Sequence, residues 1–196
     1  MMKTGVWDWL VHQWQWPAAA LVAATVLLCL LPVVILPHGA AITLVYLQLP
    51  AYMIHQGEEH VGDRFRSYAN RTLGNGREVL TRAATFWINS LGVWLVDLLS
   101  LYAALVFGPG AGLSAAYLAL VNAILHIVGA VARRESNPGL VTAVFLFLPL
   151  GIACLWMTAA ETTWIAHAIG LGVAVAVHLV IVGYVMLQRG ANRSAA

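Results

Sequence analysis

The stretch Ile54-His55-Gln56-Gly57-Glu58-Glu59-His60 sets two imidazoles and two carboxylates at the end of a strongly apolar run. A charge at the centre of a membrane helix costs on the order of 2.5 to 3.5 kcal/mol, and less near the helix end. Such groups persist where they have partners or chemistry to perform. On a helix, His55 shares a face with Glu58 and Glu59, so an imidazole and one or two carboxylates can converge on a point. His60 points elsewhere unless the helix ends or unwinds at Gly57, where glycine weakens it. Nitrogen and oxygen donors of these types suit zinc or non-haem iron, and a carboxylate left over can serve as general base.

Further polar residues recur inside apolar stretches. Asn89, Val93 and Asp97 fall on one helical face, and Asn122 and His126 on another. At a rise of about 1.5 Å per residue, His55, Asn89 and His126 sit roughly 5–10 Å inside one boundary of the apolar layer, with Asn122 and His178 about a turn deeper. A polar pocket opening to that side accounts for the shared depth. Each residue also has a plainer reading. Asn89 and Asn122 can be helix-to-helix hydrogen bonders, and His126 an imidazole bonded to a carbonyl. His178, surrounded by Ala, Val and Leu, reads as structural. Asp97 is either a protonated structural carboxyl or a proton-relay member. At Asn137-Pro138-Gly139 a helix begins, and its free amides carry partial positive charge that can hold an anion such as a lipid headgroup.

The elements that must position these groups follow from composition. The chain has 196 residues, 61% hydrophobic and 9% charged, with mean hydropathy +0.83, against roughly 25% charged in soluble domains. This composition describes an all-α, polytopic membrane protein. A net charge of +2 gives no footprint for nucleic acid. Cys29 and Cys154 lie in apolar runs and read as packing residues. Spans of about 20 apolar residues are expected near 17–36, 40–57, 84–107, 112–132, 139–158 and 164–187. Turns at Leu36-Pro37-His38-Gly39 and Phe107-Gly108-Pro109-Gly110 join them into hairpins. Arg64, Arg66, Arg71, Arg77, Arg82, Arg133, Arg134, Arg189 and Arg193, with Lys3, all fall on one side of such a bundle. The positive-inside rule makes that side, and both termini, cytoplasmic. The Trp-rich start, Trp7 to Trp16, suits an interfacial helix with His12 at the headgroup level, and 61–83 a second interfacial helix ending at Leu73-Gly74-Asn75-Gly76. The expectation is a single membrane-embedded domain in a bacterial inner membrane, without a cleaved signal, open to homodimerisation.

His55-x-x-Glu58-Glu59, then Asn122-x-x-x-His126, then Asn137-Pro138-Gly139-Leu140-Val141-Thr142-Ala143 resemble, in that order, the HXXEE-domain family of small bacterial membrane proteins. The resemblance covers roughly residues 40 to 185. It implies a helical bundle with a shared polar constellation and leaves the chemistry open. A weaker likeness is to the CAAX-protease and bacteriocin-processing family, whose Glu-Glu-x-x-x-Arg motif is met here with Arg64 one place too far and with Asn122 ahead of His126.

Three functional classes remain. One is a metal-dependent membrane enzyme, with His55, Glu58, Glu59 and His126 as ligands, Asn89 or Asn122 polarising a carbonyl or phosphoryl oxygen, and an amphipathic, lipid-like substrate entering from the bilayer. In that class hydrolysis is preferred to oxidation. The second is metal-free hydrolysis with Glu58 or Glu59 as base. The third is a small proton- or cation-coupled transporter, which the absence of a repeated half disfavours. Histidines at unmatched depths speak against bis-histidine haem.

Overall fold

The computed structural model describes residues 5–194; Lys3 and the side chain of Arg193, both used to orient the spans, lie outside what it describes. The described residues are mostly helical, with no strand among them. A short apolar helix, α1 (Trp16–Cys29), is followed by α2 (Leu31–His60), the amphipathic α3 (Arg64–Thr72), α4 (Arg82–Phe107), α5 (Pro109–Arg133), α6 (Leu140–Glu161) and α7 (Trp164–Asn192). Among these, α2 and α4 to α7 are long and apolar enough to cross a membrane.

The first expected span is divided. Pro32 stands in the first turn of α2, where it lacks an amide hydrogen and crowds the carbonyl a turn earlier. The helix therefore breaks at Leu30 (φ −82°, ψ −2°). α1 has 14 residues, about 21 Å at 1.5 Å each, short of a hydrocarbon layer of about 30 Å. The first turns of α2 finish the ascent, and the chain reverses at Gly39, whose φ of 72° and ψ of −173° interrupt the helix. From there α2 descends antiparallel to α1. The Tyr46 hydroxyl donates to the Leu27 carbonyl at 2.6 Å, and Gly57 meets Leu21 so closely that a Cβ would lie 2.6 Å from its Cδ2. Gly57 thus serves close packing, and α2 stays helical through His60.

At the end bearing the Gly39 and Gly108 turns the helices pack through small groups. A Cβ on Gly112 would lie 2.7 Å from Val45 Cγ1 and 2.9 Å from Ala104 Cβ. Buried Ala116 and Cys154 fill the same cluster, whereas Cys29 is exposed. Towards the middle, Tyr52, Leu118, Phe147 and Ala174 tie α2, α5, α6 and α7 together. At the opposite, arginine-bearing end, α3 turns Phe65, Tyr68, Ala69 and Thr72 inwards, the i, i+3, i+4, i+7 spacing of one helical face. Asn70 pins the following loop, its Oδ1 accepting from the amides of Val79 and Leu80 at 2.9 Å. Arg66 chelates Asp63 and reaches Glu78. Its hydrogen bonds to Asp63 raise the guanidinium pKa further, against the cost of partial burial.

The Trp-rich start makes one wide turn at Asp8–His12. Trp7 then stacks on Trp87, and Arg82 donates to the His12 carbonyl.

Candidate metal centre

The last turns of α2 present His55, Glu59 and His60, and the C-terminal half of α5 presents His126. All four are buried, His55 at 0% and Glu59 at 6% exposure. Glu59 is the hub. Its Oε1 lies 3.1 Å from His126 Nε2, and its Oε2 lies 3.5 Å from His55 Nε2 and 3.3 Å from His60 Nε2. One ligand atom from each of His55, Glu59 and His126 can be chosen so that all lie within 4.8 Å of one another. That is the span of donors around a single ion, in a set of two imidazoles and one carboxylate.

The outer hydrogen bonds fix which nitrogens face inwards. Asn137 donates from Nδ2 to the His126 carbonyl at 2.8 Å, so its Oδ1 is the atom 2.5 Å from His126 Nδ1. An amide oxygen only accepts, and Nδ1 therefore carries the hydrogen. The Thr142 hydroxyl donates to Glu58 Oε2 at 2.6 Å and takes the hydrogen of His55 Nδ1 at 2.7 Å. In the neutral rings, both Nε2 electron pairs then point at the Glu59 carboxylate. His55 Nε2 is buried without a hydrogen-bond partner among the described residues. Acceptors facing acceptors repel unless a cation or proton lies between them. Tying the far ring nitrogen to an acceptor is the outer-shell arrangement that orients histidine ligands.

His60 enters by another route than unwinding. Because Glu59 is its neighbour in sequence, one carboxylate spans both histidines while the helix stays intact. The Trp94 indole, a donor only, lies 2.5 Å from Gln56 Oε1; Gln56 Nε2 donates to Asn89 Oδ1 at 2.8 Å; Asn89 Nδ2 then faces His60 Nε2 at 3.3 Å and the Thr85 carbonyl at 2.8 Å. That chain of donors makes His60 Nε2 an acceptor. Trp16 packs on the other side of the ring at a centroid distance of 4.8 Å, and the Trp14 indole donates to the His60 carbonyl at 2.7 Å.

Glu58, expected among the ligands, is turned to other partners. It accepts from the amides of Val141 and Thr142 at 3.1 and 2.7 Å and from the Thr142 hydroxyl. The side chain leaves α2 on the edge nearest α6, where the free amides of a helix start favour an anion. The anion expected at this helix start is thus Glu58 itself, and Asn137 is occupied with His126. Between them Gly139 holds φ at 98°, and a Cβ there would fall 2.7 Å from His126 Cε1 and 2.8 Å from both Glu59 Cγ and His55 Cε1. Only glycine lets this loop approach the cluster.

One cavity of about 380 Å³ gathers Glu59, His60, Asn89, Asn122, His126, Asn137 and His178 on its wall. His55 and Glu58 are not among the residues lining it. Asp97 lies apart from it, 1% exposed, with neither carboxyl oxygen hydrogen-bonded among the described residues. Sequence pattern alone gives Thr142, Gln56 and Trp94 no role at the site, and Gly139 only one at a helix start. Thr142 and Gly139 sit in the block beginning at Asn137, and Gln56 inside the first motif, which is where a signal existed.

The fold and this cluster define a helical membrane protein with a buried site of two histidines and one carboxylate. A family described as a protein of unknown function with HXXEE motif matches residues 46–154, and the chain belongs to it. No curated protein and no solved structure matches the chain.

Proposed function

We propose that the protein is a metal-dependent enzyme of the membrane, with one divalent ion, zinc or iron, held by His55, Glu59 and His126 towards its cytoplasmic face. The observation that carries this reading is the pair of imidazoles whose Nδ1 hydrogens are committed to Thr142 and Asn137 while their Nε2 atoms converge on Glu59. A buried, orphaned ring nitrogen beside a carboxylate oxygen fits a cation better than any neutral neighbour.

When bound, such an ion lowers the pKa of water or polarises a carbonyl or phosphoryl oxygen. The chain's own residues supply the rest. His60 offers an acceptor nitrogen next to Glu59, suited to take up a proton. Asn89 holds it in that state, and Asn122 on the cavity wall is placed to meet a substrate oxygen. A proton acceptor beside the cluster supports hydrolysis over oxidation, and apolar cavity walls support an amphipathic, lipid-like substrate.

Metal analysis of the purified protein should find about one ion per chain, lost in His55→Ala and in His126→Ala but kept in Glu58→Gln. Full occupancy in both histidine variants would remove the ligand assignment.

A further inference from the structure

The hydrogen-bonding side chains on the cavity wall come from α2, α3, α4, α5, α7 and, at Asn137, the loop after α5, and between them the wall is lined by Leu, Val, Ile, Phe and Met. α5 and α7 run parallel and close-packed in their first halves. There the Tyr117 hydroxyl pairs with His167 Nδ1 at 2.8 Å, and Ala174 packs with Leu118, Ala119 and Ala123. Residues of their second halves line the cavity, with Val177, Ile181 and Val185 forming an i, i+4, i+8 stripe along α7. Arg133 stands at the arginine-bearing end of the same wall.

His178 is among the polar side chains of the wall although nothing in the cluster holds it. Its Nδ1 lies 2.8 Å from the Ala174 carbonyl oxygen. A carbonyl only accepts, so Nδ1 carries the hydrogen and Nε2 of the neutral ring is an acceptor on the wall of the cavity. No donor reaches Nε2 among the described residues. A volume of about 380 Å³ lies at the low end of the roughly 300–1,000 Å³ of small-molecule sites. One apolar chain matches that space better than two.

We propose that the cavity binds a single-chain amphiphile bearing a hydroxyl or amide N–H beside its polar linkage, with His178 accepting from that group. The chain lies along the Val177–Ile181–Val185 stripe and the linkage faces Glu59 and His126. This rests on the reading of the site as one for amphipathic substrates, and it makes His178 a specificity-determining residue.

The test uses full-length protein stripped of metal, so that binding is read independently of the ion. Native mass spectrometry from detergent compares a long-chain monoacylglycerol with its di-O-methyl ether, which lacks the donors. The monoacylglycerol should bind about tenfold more tightly, the worth of one buried hydrogen bond. His178→Leu should erase that preference and His178→Gln, which keeps an acceptor, should restore it. Val185→Trp should abolish binding of both probes while the metal content of unstripped protein stays unchanged. Equal affinity for the two probes in the wild type, or undiminished binding in Val185→Trp, would overturn the proposal. Amphiphile binding in a protein that never holds an ion would remove the metal assignment and leave this one standing.

Discussion

At the end of the bundle that carries the Gly39 and Gly108 turns, helices meet through glycine, alanine and cysteine, with Gly112 pressed between Val45 and Ala104. At the arginine-bearing end the same helices enclose a cavity and a polar cluster that includes orphaned atoms of His55 and His60. Where lipid supplies no hydrophobic drive between helices, close packing of small residues is what holds them together. The first end therefore fixes the helices, and the second uses the space they leave to keep donors facing one another. If the division is real, substitutions at the packed end should change stability without touching ion content, and substitutions at the polar end should do the reverse.

The largest expected effect is Gly112→Leu. The new side chain would run into Val45, Ala104 and the Ser100 carbonyl, and overpacking of this kind costs about 1–3 kcal/mol, occasionally more. The denaturation midpoint in detergent should fall sharply, while the fraction that remains folded keeps its ion. Loss of the ion from folded Gly112→Leu protein would mean that the two ends are not separable.

Gly139→Ala comes next and sharpens the contrast from the other side. A Cβ would sit among His126, Glu59 and His55, and a φ of 98° is unfavourable for alanine, at a cost of order 1–3 kcal/mol. Because the strain falls on a loop and the three side chains proposed as ligands, ion content should drop by more than the midpoint does. A midpoint shift as large as that of Gly112→Leu, with the ion retained, would assign Gly139 to the scaffold.

These two glycines also show what could be read in the sequence and what could not. The turns at Gly39 and Gly108, the apolar spans and the shared face of His55 and Glu59 follow from local pattern, since proline, glycine and helical periodicity act over a few residues. The choice between Glu58 and Glu59 does not. Both lie within a turn of His55, and what separates them is Thr142, 84 residues from Glu58 along the chain, reached only when α6 packs on α2. Counting angles from His55 turns His60 away unless the helix unwinds at Gly57, yet it joins through the carboxylate between them with the helix intact. The split at Leu30 was legible in Pro32, which an apolar window averages away.

Thr142→Val tests the outer shell with a smaller effect. It removes the hydroxyl that links His55 Nδ1 to Glu58 and leaves the three proposed ligands in place. Outer-shell losses of this type cost about 10- to 100-fold in metal affinity, and Thr142→Ser should recover most of it. An unchanged ion affinity in Thr142→Val would mean that the ring of His55 is held by packing against Phe147, 4.4 Å away between centroids, and not by its hydrogen bond.

The smallest expected effect is Arg71→Ala, which cuts the ion pair between α3 and Glu135 at 2.6 Å. The pair is largely exposed, 61% for the arginine and 44% for the glutamate side chain, and such pairs contribute about 0.2–1 kcal/mol. High salt should therefore erase the difference between variant and wild type. The pair nonetheless ties the exposed side of α3 to the segment that follows α5. If α3 is held mainly by Phe65, Ala69 and Leu73 on Val79, Leu80 and Val185, the variant should keep its ion and its midpoint within that small margin. A larger loss, persisting in high salt, would place the closure of the polar end in this surface pair instead of the apolar face beneath it.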